Sequence, residues 1–150
     1  MKRELLKDAY QILAGIPKNR YAPDLSAVVR RVITFDDGGP LYEEPYSGML
    51  ACGAGWLALA KFEGLEYSRQ CYGAIVLFRG THFSYDVATA LLFGISNLKA
   101  DNIFCTRRSS QFDSEPGANR LSDKALLLYR IRRTLGEART KSLKMAREDQ

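Results

Sequence analysis

The sequence is organised around residues 84–105, which read SYDVATALLFGISNLKADNIFC. Ser84 and Ser96 are of the type that caps helix N-termini, and Gly94 is of the type that ends a helix in the left-handed conformation. The stretch therefore predicts two consecutive helices joined by a tight turn at Gly94. We expect the apolar side chains of both helices to be buried, including Leu91 and Leu98.

The same helix signals recur on both sides of this stretch, because apolar residues repeat every three or four positions between Gly and Pro. Six helices are predicted, and they cover residues 5–14, 25–32, 48–62, 85–93, 97–105 and 122–149. Residues 32–35 and 74–78 have strand-forming side chains, which favour one short strand pair. The sequence thus predicts a single, mainly α-helical domain over residues 1–150, with its core from about 4 to 135.

The predicted helix over residues 48–62 is apolar on nearly all sides, which is typical of a central helix. Gly53 and Gly55 lie inside it, where each costs about 1 kcal/mol relative to alanine. We expect close approach of another backbone to offset this cost. This helix and the helix over 85–93 should form the core.

The composition excludes several classes of protein. The chain has 150 residues, of which 46% are hydrophobic and 26% charged, as in ordinary globular domains. No apolar run approaches the roughly 18 residues that span a bilayer, and the residues after Arg3 are too polar for a signal peptide. The three cysteines have no CxxC spacing. We therefore expect a cytoplasmic protein with free thiols and no membrane partner.

The surplus positive charge is confined to the C-terminal segment. Residues 120–150 contain nine Lys/Arg and four Asp/Glu, whereas residues 1–119 contain thirteen of each, so the net charge of +5 belongs to this segment. Because the charge is clustered, it predicts an anionic partner rather than a general contribution to solubility.

A helical projection of residues 122–149 places the basic side chains Arg130, Arg133, Lys141 and Lys144 opposite an apolar stripe that fades after Ala138. We expect a basic helix that docks at its start and projects partly at its end. Its cations would bind phosphates or an acidic protein, with Arg107 and Arg108 as a second patch. The alternative is a solvated helix face stabilised by Glu137–Lys141 and Lys144–Glu148 pairs.

A second interpretation concerns residues 84–105. Ala90 and Gly94 have the spacing of the small residue and the turn glycine in helix-turn-helix modules, and Asn97 can pair with adenine. This alternative function is a DNA-binding regulator. Ordinary packing of two helices at a glycine corner produces the same pattern.

A third interpretation is a cysteine hydrolase. Cys52 would be the nucleophile, His82 the base and Asp86 the residue that orients the base. Cys52 lies in the most apolar part of the chain, where thiols usually serve as inert core residues. Cys71 and Cys105 could join Cys52 and His82 around a metal, but no pair has zinc-knuckle spacing. We therefore predict no enzyme activity, no cofactor and no metal site.

Several short stretches of core and cap residues carry a family resemblance. They are Leu6 to Pro17, Cys52-Gly53-Ala54-Gly55-Trp56, Phe62-Glu63-Gly64-Leu65, Leu92-Phe93-Gly94-Ile95-Ser96, Ile103-Phe104 and Tyr129-Arg130-Ile131. Together they resemble a diffuse group of uncharacterised small proteins from bacteriophages and prophages. The resemblance implies a phage protein that acts in the bacterial cytoplasm. The leading hypothesis is a non-enzymatic binding protein, for example an inhibitor of a bacterial defence system. Its partner would be a protein or nucleoprotein complex with an acidic surface, and direct binding to nucleic acid stays open, as does the oligomeric state.

Overall fold

The structure is a computed structural model that describes residues 1–15, 29–31, 49–51, 53–66, 75–105 and 117–150. Its α-helices are α1 (Arg3–Ala14), α2 (Gly53–Leu59), α3 (Tyr85–Phe93), α4 (Asn97–Ala100), α5 (Asp123–Thr134) and α6 (Arg139–Glu148). A π-helical turn at Asp101–Cys105 extends α4, and 3-10 turns lie at Phe62–Gly64 and Ala118–Arg120. The prediction of a mainly α-helical chain is confirmed.

Two small antiparallel sheets accompany the helices. Strand β1 (Val29–Arg31) pairs with β2 (Met49–Ala51), while β3 (Leu65–Glu66), β4 (Ile75–Phe78) and β5 (Thr81–Ser84) form the second sheet in that order. Arg79 and Gly80 connect β4 to β5 with φ angles of 50° and 81°. Positive φ at both positions is what a type I′ hairpin turn requires, and it matches the twist of the two strands.

Strand pairing corrects two of the predicted helices. The segment predicted as a helix over 25–32 contains β1, and the helix predicted over 48–62 begins only at Gly53 because residues 49–51 form β2. A short apolar run fits either state, and pairing with a distant segment decides between them. The strand predicted at 74–78 is confirmed as β4. Its partners are β3 and β5, whereas the predicted partner at 32–35 lies outside the described residues.

The core surrounds Phe93, the last residue of α3. The Phe93 ring stacks on Phe62 and Phe104, with ring centroids 6.2 and 5.1 Å away. All residues of α2 are buried, as predicted for a central helix. A Cβ atom on Gly53 would lie 2.7 Å from Cδ1 of Leu127 in α5. The close approach expected at this glycine is therefore made by a side chain, not by another backbone.

The predicted C-terminal helix over 122–149 is broken at Gly136. Gly136 has a φ of +91°, its N–H donates to the Arg133 carbonyl, and the Glu137 N–H donates to the Arg132 carbonyl at 3.0 Å. These two bonds form a Schellman motif, which ends a helix at a left-handed glycine. The chain then reverses, and α6 packs on α5 through Leu143 and its neighbours. The prediction that the end of this helix projects from the fold is therefore wrong.

Candidate functional site

The two predicted binding residues on α5 do not form an exposed face. Arg130 is fully buried, with 0% of its surface exposed. Arg133 is half-buried, and its Nη1 donates to the Glu137 carbonyl oxygen at 2.7 Å. The prediction of a solvent-facing Arg130 is wrong because α5 is covered on several sides, so that every residue from Lys124 to Arg132 is buried. A projection of one isolated helix does not include such cover.

Arg132 joins three parts of the fold. Its Nη2 donates to the Tyr10 hydroxyl of α1 and, at 2.9 Å, to Asp149 Oδ2, which follows α6. Its Nε lies 4.0 Å from Glu137 Oε2 in the α5–α6 turn. The Tyr10 ring also lies against the guanidinium, 5.1 Å from its carbon to the ring centroid. This α5 cation is thus neutralised within the molecule and holds α6 in place.

Glu137 is shared by both helices of the hairpin. It accepts a hydrogen bond from Ser142 Oγ at 2.8 Å and forms an ion pair with Lys141 Nζ at 3.1 Å. Burial alone would raise the pKa of Glu137, but these hydrogen bonds, together with the charges of Lys141 and Arg132, lower it below its usual value of 4.5. The carboxylate is therefore ionised at neutral pH and neutralises part of the local positive charge.

Arg130 lies near Asp101, in the π-helical turn that extends α4. Burial and the charge of Asp86 raise the pKa of Asp101, while the positive charge of Arg130 opposes that rise. Arg130 therefore compensates the partly buried negative charge of Asp101 inside the fold. An arginine in this position serves the structure and cannot meet an external partner.

The cations of α6 have the opposite placement. Ser142, Leu143 and Ala146 of this helix are buried, whereas its Lys and Arg side chains are all exposed. Lys144 is at the centre of the exposed side, with Lys141 three residues before it and Arg147 three residues after it. Three residues correspond to a rise of about 4.5 Å along an α-helix, so the three cations form a row about 9 Å long.

Arg120 adds a fifth cation to the four of α6, because the 3-10 turn at Ala118–Arg120 lies beside this helix. The Arg147 guanidinium lies over Gly117, where its Nη2 would be 3.2 Å from a Cβ atom on that residue. Arg120 is exposed in the same turn and donates its N–H to the Gly117 carbonyl at 3.3 Å. We call the following set the cationic surface: Arg120, Arg139, Lys141, Lys144 and Arg147.

Most of the cationic surface has no counter-charge among the residues that the structure describes. Lys141 pairs with Glu137 but is still 69% exposed. Within the described part of the chain, no ion pair is formed by Arg120, Arg139, Lys144 or Arg147. The predicted Lys144–Glu148 pair is thus not formed, whereas the predicted Glu137–Lys141 pair is.

Sequence reasoning retained two of these residues and missed the others. Lys141 and Lys144 were predicted, whereas Arg120, Arg139 and Arg147 were not. Gly136 is the sequence signal that would have identified them, because glycine commonly ends a helix. A separate projection of residues 139–148 places Arg147 beside Lys144. The predicted second patch, Arg107 and Arg108, lies outside the described residues.

The helix-turn-helix interpretation is supported only at the turn. Gly94 is left-handed with a φ of 64°, and Ser96 accepts a hydrogen bond from the Lys99 N–H, as predicted for a stop and a cap. However, α4 is four residues long and continues as a π-helical turn. Leu91 and Leu98 are 51% and 71% exposed, so their predicted burial is wrong. They lie beside the buried stripe, where a short helix leaves its outer positions uncovered.

The hydrolase and metal interpretations receive no geometric support. Cys52 and Cys71 lie outside the described residues. His82 is exposed in β5, and within the described ranges no hydrogen bond joins it to Asp86. Among those residues no group of three or more His, Cys, Asp or Glu side chains gathers around a common point.

In the part of the chain described here, no helix has the length and apolarity needed to cross a membrane. Comparison of the chain with protein-family models, curated proteins and solved structures finds no match. The resemblance to small phage proteins therefore stays a prediction, and functional inference depends on the geometry of the cationic surface.

Proposed function

We propose that this chain is a non-enzymatic binding protein that docks on the anionic surface of a macromolecular complex through the cationic surface. The main support is the division of charge within the C-terminal hairpin. The cations of α5 are buried or bonded internally, whereas four of the five residues of the cationic surface have no ion pair in the described chain. Exposed cations without counter-charges attract an anionic partner and steer its approach.

The position of the cations on α6 also favours a binding role over a stabilising role. Arg139 and Lys141 lie in the first turn of α6, where the positive end of the helix dipole disfavours cations. That turn contains no acidic residue, and Ala138 provides no side-chain cap. Lys141 is offset by its pair with Glu137, but Arg139 has no ion pair among the described residues. The presence of Arg139 is therefore better explained by a partner than by the stability of the fold.

The partner that fits this proposal is a protein or nucleoprotein complex with an acidic surface. A host complex, for example a bacterial defence system inhibited by this protein, would agree with the resemblance to small phage proteins. Because exposed charges supply the attraction, the affinity should fall as salt rises.

Elution from a heparin column tests this proposal. Lys144→Glu removes the central cation of the surface, and the matched control Lys61→Glu makes the same charge change in the turn after α2. We expect the wild type and Lys61→Glu to be retained and to elute at similar salt, and Lys144→Glu to elute clearly earlier. Equal elution of the two variants, or no retention of the wild type, would contradict the proposal.

A further inference from the structure

Among the described residues, the cationic surface has no apolar centre of the kind that most protein–protein interfaces have. The exposed side chains of α6 are Arg139, Thr140, Lys141, Lys144, Arg147 and Glu148. Protein–protein interfaces are depleted in lysine and usually contain aromatic residues or methionine at their centre. Surfaces that bind nucleic acid are more polar and much more positively charged. The composition of α6 corresponds to the second class.

The spacing of the cations on α6 also favours a nucleic acid over a protein as the partner. Lys141, Lys144 and Arg147 form a row about 9 Å long along the helix axis. Double-stranded DNA carries one negative charge per about 1.7 Å of its axis, so a duplex presents several phosphates over that length. Few protein surfaces concentrate carboxylates to this degree, because their mutual repulsion would destabilise the fold.

The exposed side chains and the helical shape of α6 indicate which form of nucleic acid it suits: single-stranded, duplex RNA or duplex DNA. Proteins that bind single strands stack bases on aromatic residues, and α6 exposes no aromatic residue. The major groove of B-form DNA is about 12 Å wide and admits an α-helix, whereas the major groove of A-form RNA is too narrow for side chains to read. A helix with cations on its exposed side is therefore suited to the phosphates of B-form DNA.

We propose, building on the function proposed above, that the anionic partner is the phosphate backbone of double-stranded DNA, bound without regard to base sequence. Lysine and arginine neutralise phosphates and carry no sequence information when they contact the backbone alone. The exposed side of α6 offers no Asn or Gln to pair with base edges. DNA bound within a nucleoprotein complex would supply the acidic surface expected of the partner.

Fluorescence anisotropy with two labelled 20-bp duplexes of unrelated sequence tests this proposal. We expect both duplexes to bind equally, with a dissociation constant of roughly 10⁻⁴ to 10⁻⁶ M. The affinity should fall between about 50 and 200 mM salt with a log–log slope of about −3 to −4, as three or four neutralised phosphates require. Lys144→Glu should weaken binding at least roughly eightfold at 0.1 M salt, the value of one phosphate contact, whereas Lys61→Glu should bind like the wild type.

The other outcomes overturn the proposal in distinguishable ways. If heparin retention depends on Lys144 but neither duplex binds at 50 mM salt, the DNA partner is wrong and the proposed function stands. Tighter binding to duplex RNA, or equal binding to polyglutamate, would also refute a DNA partner. If DNA binds but Lys144→Glu and Lys61→Glu behave alike, the DNA contacts lie elsewhere on the molecule.

Discussion

Helices α5 and α6 are adjacent in the sequence and each carries four Lys or Arg residues, but they place them differently. On α5, Lys124, Arg130 and Arg132 are 9%, 0% and 6% exposed, whereas all four cations of α6 are exposed. The net charge of a segment therefore does not locate a binding surface. What matters is the layer of the fold in which each helix lies: α5 lies between α1 and α6, while α6 is covered on one side only.

The largest difference between the two helices should appear in stability. Arg130→Ala removes a fully buried side chain and leaves Asp101 without its positive neighbour. We expect a loss of about 3 kcal/mol in the free energy of unfolding, because both packing and charge compensation are lost. Arg147→Ala on α6 should change it by less than about 0.5 kcal/mol. Urea denaturation measures both, and equal losses would mean that the two helices are not in different layers.

A second prediction concerns the contact that buries α5 against α2. Gly53→Ala would place a Cβ atom 2.7 Å from Leu127 Cδ1, so the Leu127 side chain or one of the two helices must shift. We expect a cost of about 1–3 kcal/mol from overpacking. Leu127→Val removes methylene volume at that point and should recover part of the cost, so the double variant should be more stable than the sum of the single effects predicts. Strict additivity, measured by urea denaturation, would show that the two residues do not meet.

The smallest effect should come from Glu137, which connects the two helices. The pKa of Glu137 is lowered in the folded state, so its stabilising contribution is present above the usual value of 4.5 and is lost as the pH falls below it. Glu137→Gln should therefore lower the melting temperature at pH 7, and this difference should shrink progressively as the pH falls below 4.5 and the wild-type carboxylate takes up its proton. A difference in melting temperature that does not change with pH would contradict the ionic role of Glu137.

The two glycines that end helices show how far local sequence signals reach. Gly94 was read as a helix stop, and the structure confirms the left-handed turn and the Ser96 cap. Gly136 forms the same kind of stop, but the apolar and charged pattern runs on through it, and the prediction followed that pattern. The apolar stripe fades only after Ala138, two residues past Gly136, so the pattern itself gives no stop at the glycine.

The burial of charged residues was harder to predict from the sequence than the ends of helices. Arg130 and Arg133 have the i, i+3 spacing of a solvent-facing row, but the cover provided by neighbouring elements buries Arg130 and half-buries Arg133. The partners of Arg132 are Tyr10 and Asp149, which are separated from it by 122 and 17 residues. Long-range pairs of this kind leave no local pattern, so the sequence located the surplus positive charge in the C-terminal segment but did not separate its buried cations from its exposed ones.

Lysine acetylation followed by mass spectrometry compares the two helices in one experiment, with the free protein and with heparin bound. Lys144 should react rapidly when the protein is free and become protected by heparin, Lys61 should react rapidly in both states, and Lys124 on α5 should react slowly in both. Rapid acetylation of Lys124, or heparin protection of Lys61 as strong as that of Lys144, would contradict the assignment of binding to the cationic surface.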